Sequence, residues 1–410
     1  MRVLVTGQVG LDKKEYLNQV AQLARQHGEN LKIFHLGDMM YREAPDVPPG
    51  RILDLPLARL NSLRRAVMRD VLAEAPKHKH VLVNTHATFR WRHGLFSAFD
   101  FDQLAQFAAD LYITLVDNIE SVHQRMLRDH ELEHSLKDLM VWREEEMLAT
   151  ETLAKAANAF NTAELAGENR GRAAGGGGGV GGEGRGGVEG ADGGGGAGSE
   201  GGPAKFYVVS RGRNQMTCET LFRMIFRPAM KKVYPSFPMS HVMDMPATLA
   251  EIDAFRAQMA ERFITFDPGD VDEKVLADKA VQAVRAGQQV LPLTVNGVEM
   301  QFKVRELLDI TGDIDGQIYA RDFILVRQSD MIVSYIPELP TGKPGLSSGV
   351  ERELQHAYEH GRDVFVIWKP RKDPSPFITQ TATKVFHSVE EALKHFEERG
   401  FFMPHDLFGT

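Results

Sequence analysis

A single cysteine, Cys218, in 410 residues leaves no partner for an intramolecular disulfide, which excludes a disulfide-stapled scaffold and fits a reducing compartment. Long apolar runs are missing too: no stretch of about 18 apolar residues suggests a membrane span. There is no basic stretch ahead of an apolar one at the start. Met1 leads straight into Arg2-Val3-Leu4-Val5-Thr6-Gly7, which reads as a buried strand ending in a turn. Cytoplasm is therefore expected, with no membrane partner. Positive charge is not in surplus: the formal net charge is -8, so no field concentrates polyanions and a nucleic-acid partner is not expected. The 15 histidines are scattered without metal-ligand spacing, so no metal site is expected, and no internal repeat is visible.

What is present is an ordinary globular composition, 43% hydrophobic and 25% charged, in a chain longer than one core usually supports. Two folded units are expected. The clearest boundary is a run from Gly175 to Gly202 in which about two thirds of the residues are glycine. Such a run cannot build a core and reads as a disordered, flexible linker. On either side, short apolar strands alternate with amphipathic helices, the pattern of parallel sheets covered on both faces. The fold class is thus α/β: two doubly wound parallel-sheet domains joined by a Gly-rich linker. The domains are placed at 1–165 and 205–410, with the linker at 166–204. Before the linker, strands are expected at Val3–Thr6, Lys32–His35, His80–Asn84 and Leu111–Val116. After it, Phe206–Ser210 is read as the first strand of the second domain, and Met331–Ile336, Val350–His360 and Val364–Trp368 as a βαβ unit. Helices are expected around Leu249–Arg262 and Lys274–Ala286, within a long insert over 215–318.

The first strand feeds Gly7-Gln8-Val9-Gly10-Leu11-Asp12-Lys13-Lys14, where a phosphate loop asks for G-x-x-x-x-G-K-[ST]. In that pattern the second glycine lets backbone N–H groups curl around phosphate, the lysine reaches it and the hydroxyl holds Mg²⁺. Lys13 survives, Asp12 replaces the glycine and Lys14 replaces the hydroxyl. A carboxylate beside the phosphate and a cation at the metal position both oppose phosphoryl transfer.

Downstream, Lys32-Ile33-Phe34-His35-Leu36-Gly37-Asp38, Leu55-Pro56-Leu57, Val81-Leu82-Val83-Asn84-Thr85-His86 and Arg125-Met126-Leu127-Arg128-Asp129 resemble segments of the archaeal type of adenylate kinase, over roughly 145 residues. Asn84 stands where that family carries an aspartate. The resemblance implies a nucleotide-binding fold with a degenerate site at Gly7, Gly10, Lys13, Arg125 and Arg128. ATP binding there stays open, and Mg²⁺ is disfavoured.

In the second half, Ser347-Ser348-Gly349-Val350-Glu351-Arg352-Glu353-Leu354 follows a strand and a Gly/Pro/Ser-rich loop. Ser348 and Glu351 have capping-box spacing, which places a helix N-terminus at Gly349 with free N–H groups suited to an anion. Glu353 flanks the apolar stripe formed by Val350, Leu354, Ala357 and Tyr358. The helix dipole there favours an ionised carboxylate, as a nucleophile at an anomeric carbon requires. Geometry alone leaves Glu351 as the alternative.

Together with Arg321-Asp322 and Ser329-Asp330, this stretch resembles the nucleoside 2-deoxyribosyltransferases and their relatives, the 2'-deoxynucleoside 5'-phosphate N-hydrolases. The resemblance implies that Glu353 is the nucleophile and that Asp322 lies near the leaving base or sugar. It also implies that Phe206–Ser210 with Arg211, Gly212 and Arg213 looks like the hydrolases' phosphate loop, so Ser210, Arg211, Gly212, Arg213, Ser347 and Gly349 would hold a 5'-phosphate. The reaction implied is hydrolysis or transfer at the N-glycosidic bond of a nucleoside 5'-monophosphate, with small-molecule nucleotides as partners and no cofactor required. A non-catalytic nucleotide sensor and a monophosphate kinase are the alternatives. The related hydrolases are dimers, which leaves monomer and homodimer both open.

Overall fold

In a computed structural model, the structure describes residues 1–91, 94–130, 134–174, 203–212, 216–239 and 242–402. The glycine run and Arg213 lie outside the described residues. The first half runs β1 (Arg2–Thr6), α1 (Lys13–Gln26), β2 (Lys32–His35), α2 (Leu36–Glu43), α3 (Leu57–Glu74), β3 (Val81–Asn84), β4 (Thr88–Trp91), β5 (Gly94–Ser97), α4 (Phe101–Phe107), β6 (Leu111–Val116), α5 (Ile119–His130) and α6 (Leu136–Ala174). After the glycine run come β7 (Lys205–Ser210), α7 (Met216–Phe226), β8 (Lys232–Ser236), α8 (Pro246–Arg262), β9 (Ile264–Thr265), α9 (Lys274–Arg285), β10 (Val290–Val295), β11 (Val298–Lys303), α10 (Val304–Asp309) and α11 (Thr311–Gln328). The chain closes with β12 (Met331–Ile336), α12 (Ser348–Glu359), β13 (Asp363–Trp368), α13 (Pro376–Thr379), β14 (Lys384–Phe386) and α14 (Val389–Glu398).

Two five-stranded parallel sheets result, in the orders β2-β3-β1-β6-β7 and β14-β13-β12-β8-β9. Their central strands, such as Leu111–Val116 and Met331–Ile336, are buried along their whole length, so they read as continuous apolar runs rather than alternating ones. The expected α/β class with two parallel sheets holds.

The boundary between the units does not fall where the glycine run suggested. β7 pairs with β6 from Lys205 opposite Leu111 to Ser210 opposite Val116, so it is the fifth strand of the first sheet rather than the first strand of the second. α7 then packs back on α1, where the Tyr16 hydroxyl donates to the Thr217 carbonyl at 2.6 Å and Phe222 stacks on His27. The glycine run is therefore a connection inside the first unit. The second sheet begins at β8, and the stretch read as an insert over 215–318 supplies α7 to the first unit and β8, α8 and β9 to the second. The elements added to the second sheet's plan are α9, the β10–β11 hairpin and α10.

β8 carries Pro235, which lacks an N–H for a ladder. It is tolerated because β9 reaches only as far as Val233, leaving that side of Pro235 unpaired. Val233 and Phe237 face the core beneath α8 and α14, with Phe255, Met259 and Phe396, whereas Tyr234 and Ser236 point to the opposite face.

Burial of Tyr207, Val208 and Val209 on β7 contributes roughly 1.5–3 kcal/mol for each fully buried side chain. Cutting a protease site engineered between 175 and 202 should therefore leave one particle on size exclusion, held by β7 against β6. Separation into two independent species would contradict this strand pairing.

Candidate functional site

At the end of β1 the backbone turns through Gly7 at φ 133° and Gly10 at φ 87°. A Cβ on Gly7 would stand 2.7 Å from the Leu115 carbonyl oxygen, so only glycine fits. Asp12 adopts φ 48°, ψ 38°, a left-handed conformation that costs an L-residue about 1–2 kcal/mol and that the phosphate-loop pattern gives to glycine. Its side chain makes no helix cap. Both carboxylate oxygens instead accept from Arg128 Nη2 at 3.2 Å, and Arg125 Nε lies 3.5 Å away. Arg125 also donates to Asp117 Oδ2 at 2.8 Å and to the Gly10 carbonyl at 3.2 Å. Arg128 is further held by Asp129 at 2.6 Å. The two arginines expected to grip phosphate thus close on protein carboxylates, while Lys14 pairs with Asp38 at 2.6 Å.

Lys13 is buried. Its ammonium donates to the Gly7 carbonyl and meets His86 Nδ1 at 3.1 Å. Burial pushes its pKa down to about 7, with Glu146 opposing. The fully buried Glu146 of α6 accepts from Gly7 N at 2.9 Å, from Ala87 N and Thr88 N at 2.7 Å each, and from the Thr88 hydroxyl at 2.7 Å. It ties the loop to the segment after β3. Asn84 contacts His35 Nδ1 at 2.9 Å. Beside the loop lies a cavity of about 350 Å³ lined by Lys13, Tyr41, Arg64, Asn84, His86 and Phe89 among others.

A larger cleft of about 1000 Å³ opens between α1, α5, the end of β7 and the β10–β11 hairpin, with Gln19, Asp117, Arg125, Arg211, Gly212 and Asn296 in its wall. Here the structure corrects the expectation for Ser210, Arg211 and Gly212. Ser210 is buried at the end of β7, Arg211 N donates to Val116 O at 2.7 Å, and Arg211 Nη1 lies 3.5 Å from Asp117. They stand on the carboxyl edge of the first sheet, whereas Ser347 and Gly349 belong to the second.

In the second unit Ser347, not Ser348, caps α12: its hydroxyl accepts from Val350 N at 3.2 Å, and the helix starts at Ser348 rather than Gly349. One turn on, Glu353 turns inward while Glu351 is exposed, which separates the two candidates. Tyr234 OH donates to Glu353 Oε1 at 3.0 Å and Ser236 Oγ donates to Oε2 at 2.6 Å. Both donors lie on β8, two residues apart, and so share a face. Neither was identified from the sequence; the apolar stretch around Pro235 hid the strand, and only an alternation of hydroxyl-bearing residues marked it.

Asp322 on α11 is 8% exposed, and its Oδ1 has no hydrogen-bond partner among the described residues. Burial pushes it up to about 6, against the pull of Arg321. Glu353 is pushed up to about 8, by burial first and then by the charge of Asp322, while its two hydroxyl partners work the other way. Desolvation therefore outweighs the helix dipole, and the glutamate expected to be ionised instead holds its proton well above the usual carboxylate range, raised further by the Asp322 charge. A cavity of about 230 Å³ adjoins Asp322, walled by Met239, Met243, Val271, Lys274 and Ile318 among others. Asp330 accepts from Lys232 N at 2.8 Å, a strand-entry role.

Parallel strands with a glycine-bearing loop between β1 and α1 define a P-loop nucleotide-binding class for the first unit. Residues 6–143 match the family model described as AAA domain, and this makes that unit a kinase-like P-loop domain. No curated protein matches the chain. Among the described residues, no helix is long and apolar enough to cross a membrane, and no group of three or more His, Cys, Asp or Glu could hold a metal ion.

Because the folded pKa of Glu353 lies above its ordinary 4.5, the native state keeps a proton that the unfolded chain releases. Its contribution is full below 4.5 and is lost as pH rises toward 8, with a limiting slope of about 1.4 kcal/mol per pH unit. Asp322 acts in the same direction between 3.8 and about 6. Urea midpoints of the wild type should fall from pH 5 to pH 8 relative to those of Glu353→Gln; parallel profiles would show that the carboxyl is solvated.

Proposed function

We propose that the protein processes nucleotides, with Glu353 and Asp322 cleaving or transferring the N-glycosidic bond of a nucleoside 5'-monophosphate and the P-loop domain as a nucleotide-binding partner. One observation carries this reading: a glutamate held by Tyr234 and Ser236 at the carboxyl end of a parallel strand, electrostatically coupled to a buried aspartate beside a base-sized cavity. Pockets at this edge of a doubly wound sheet are where such folds bind ligands.

The chemistry starts from the proton that Glu353 holds up to about pH 8. Moving it from Glu353 to Asp322 creates a carboxylate nucleophile and an acid together. Glu353 attacks C1' to form a glycosyl ester, and the base leaves with the proton from Asp322. Water or a second base then releases the sugar phosphate with retention, and the proton returns to the pair. With Arg211 and Gly212 on the first sheet, the N-terminal turn of α12, which carries Ser348 and Gly349 on the same helix as Glu353, is the anion-suited element assigned to the 5'-phosphate.

A non-catalytic nucleotide sensor is the second reading, favoured by the closure of Arg125 and Arg128 on Asp12. Phosphoryl transfer is opposed by Asp12, Lys14 and Asn84.

Incubation with each nucleoside monophosphate should release free base, and Glu353→Ala should lower that rate by at least a hundredfold. The rate should be bell-shaped in pH, with limbs near 6 and 8 set by the pair. Base release that survives the Glu353→Ala change would sink the reading.

A further inference from the structure

The cations around the phosphate loop divide into two groups. Lys14, Arg125 and Arg128 are each in an ion pair, with Asp38, with Asp117 and Asp12, and with Asp129 and Asp12. Among the described residues, Lys13 and Arg64 are not. Arg64, on α3, is only 5% exposed; its Nη1 donates to Asn61 Oδ1 at 3.2 Å and to the Ser97 carbonyl at 3.3 Å, and its Nη2 has no partner among the described residues. A buried guanidinium with an unused N–H₂ carries a desolvation cost that an anion would offset. Lys13 and Arg64 both line the 350 Å³ cavity, whose wall also offers Tyr41 and Phe89 as ring surfaces and Leu36, Met40 and Leu60 as apolar ones. That volume lies at the low end for small-ligand sites and suits one mononucleotide.

Two protein carboxylates meanwhile stand where a polyphosphate would be held. Asp12 sits between Arg125 and Arg128, and Glu146 takes the N–H of Gly7. A triphosphate entering the loop would meet Asp12 as a like charge and would have to displace it from both arginines.

We propose that this cavity is a receptor for a single nucleoside 5'-monophosphate, its phosphate held between Lys13 and Arg64, and that Asp12 excludes triphosphates by serving as a built-in anion for the two arginines. The site therefore binds without Mg²⁺ and transfers no phosphoryl group. This assignment is independent of the reaction proposed at Glu353, from which it differs in place and in readout.

The test is calorimetric titration of the full chain with adenosine, guanosine, cytidine and uridine 5'-monophosphates and with the matching triphosphates, with and without Mg²⁺. At least one monophosphate should bind at least tenfold more tightly than its triphosphate, with no need for the metal. Arg64→Met and Lys13→Met should each weaken that binding at least tenfold. Arg64→Lys, which keeps the charge, should weaken it less and guards against a folding defect. Asp12→Asn tolerates the left-handed backbone while removing the charge, and should narrow or invert the preference toward the triphosphate. Wild-type protein that binds a triphosphate as tightly as any monophosphate, binds no monophosphate at millimolar concentration, or binds it equally well after Arg64→Met overturns the proposal.

Discussion

Glu273 is fully buried and accepts from Arg143 at 2.6 and 3.0 Å, and from Ile119 N at 2.9 Å, with Arg321 Nη1 at 3.7 Å. Burial alone would raise its pKa, yet the Arg143 charge and hydrogen bonds and the Arg321 charge bring the net direction down. A buried ion pair offsets its desolvation only when its remaining hydrogen-bonding capacity is filled, and Arg143 meets that condition through the Asp117 carbonyl at 3.1 Å and Gln317 Oε1 at 2.5 Å. The pair links α6 and the start of α5 to the start of α9 and to α11. Both sites hang from it: Asp117 faces Arg125 on one side, and Arg321 immediately precedes Asp322 on the other.

That linkage explains why the glycine run does not separate two independent bodies. β7 lies beyond the run yet completes the first sheet, and Gln328 at the end of α11 exchanges hydrogen bonds with the Val208 backbone at 2.8 and 2.9 Å. One continuous core includes Val3, Leu82 and Val208 together with Ile332, Leu354 and Val366.

Most strands and helices were legible because burial on both faces leaves a local mark in residues such as Leu111–Val116 and Met331–Ile336. What was not legible is pairing. Phe206–Ser210 announces a strand, but nothing within it states which sheet it joins; that is decided by the edge of β6 and by the docking of α7 on α1. β8 was missed because Pro235 argues against a central strand until the shortness of β9 is known. Glu353 and Asp322 are singled out by their motifs, whereas Tyr234 and Ser236 depend on a strand register that only the fold supplies. Arg64 and Glu146 carried no motif at all, and their importance comes from burial.

The same difference between pattern and environment governs the charges. A helix dipole is worth at most about 2 kcal/mol to an ionised carboxyl in a partly buried setting, whereas taking that carboxyl out of water costs several. Glu353 is therefore raised in pKa although its position near the start of α12 favours the anion. At the phosphate loop the balance runs the other way: Asp12 and Glu146 supply, from within the chain, the negative charge and acceptors that a phosphate otherwise brings to Arg128 and Gly7. A loop satisfied by its own carboxylates needs no ligand to be ordered. Asp12 thus gives Arg125 and Arg128 an anion from within the chain, a gain set against the cost of its left-handed backbone.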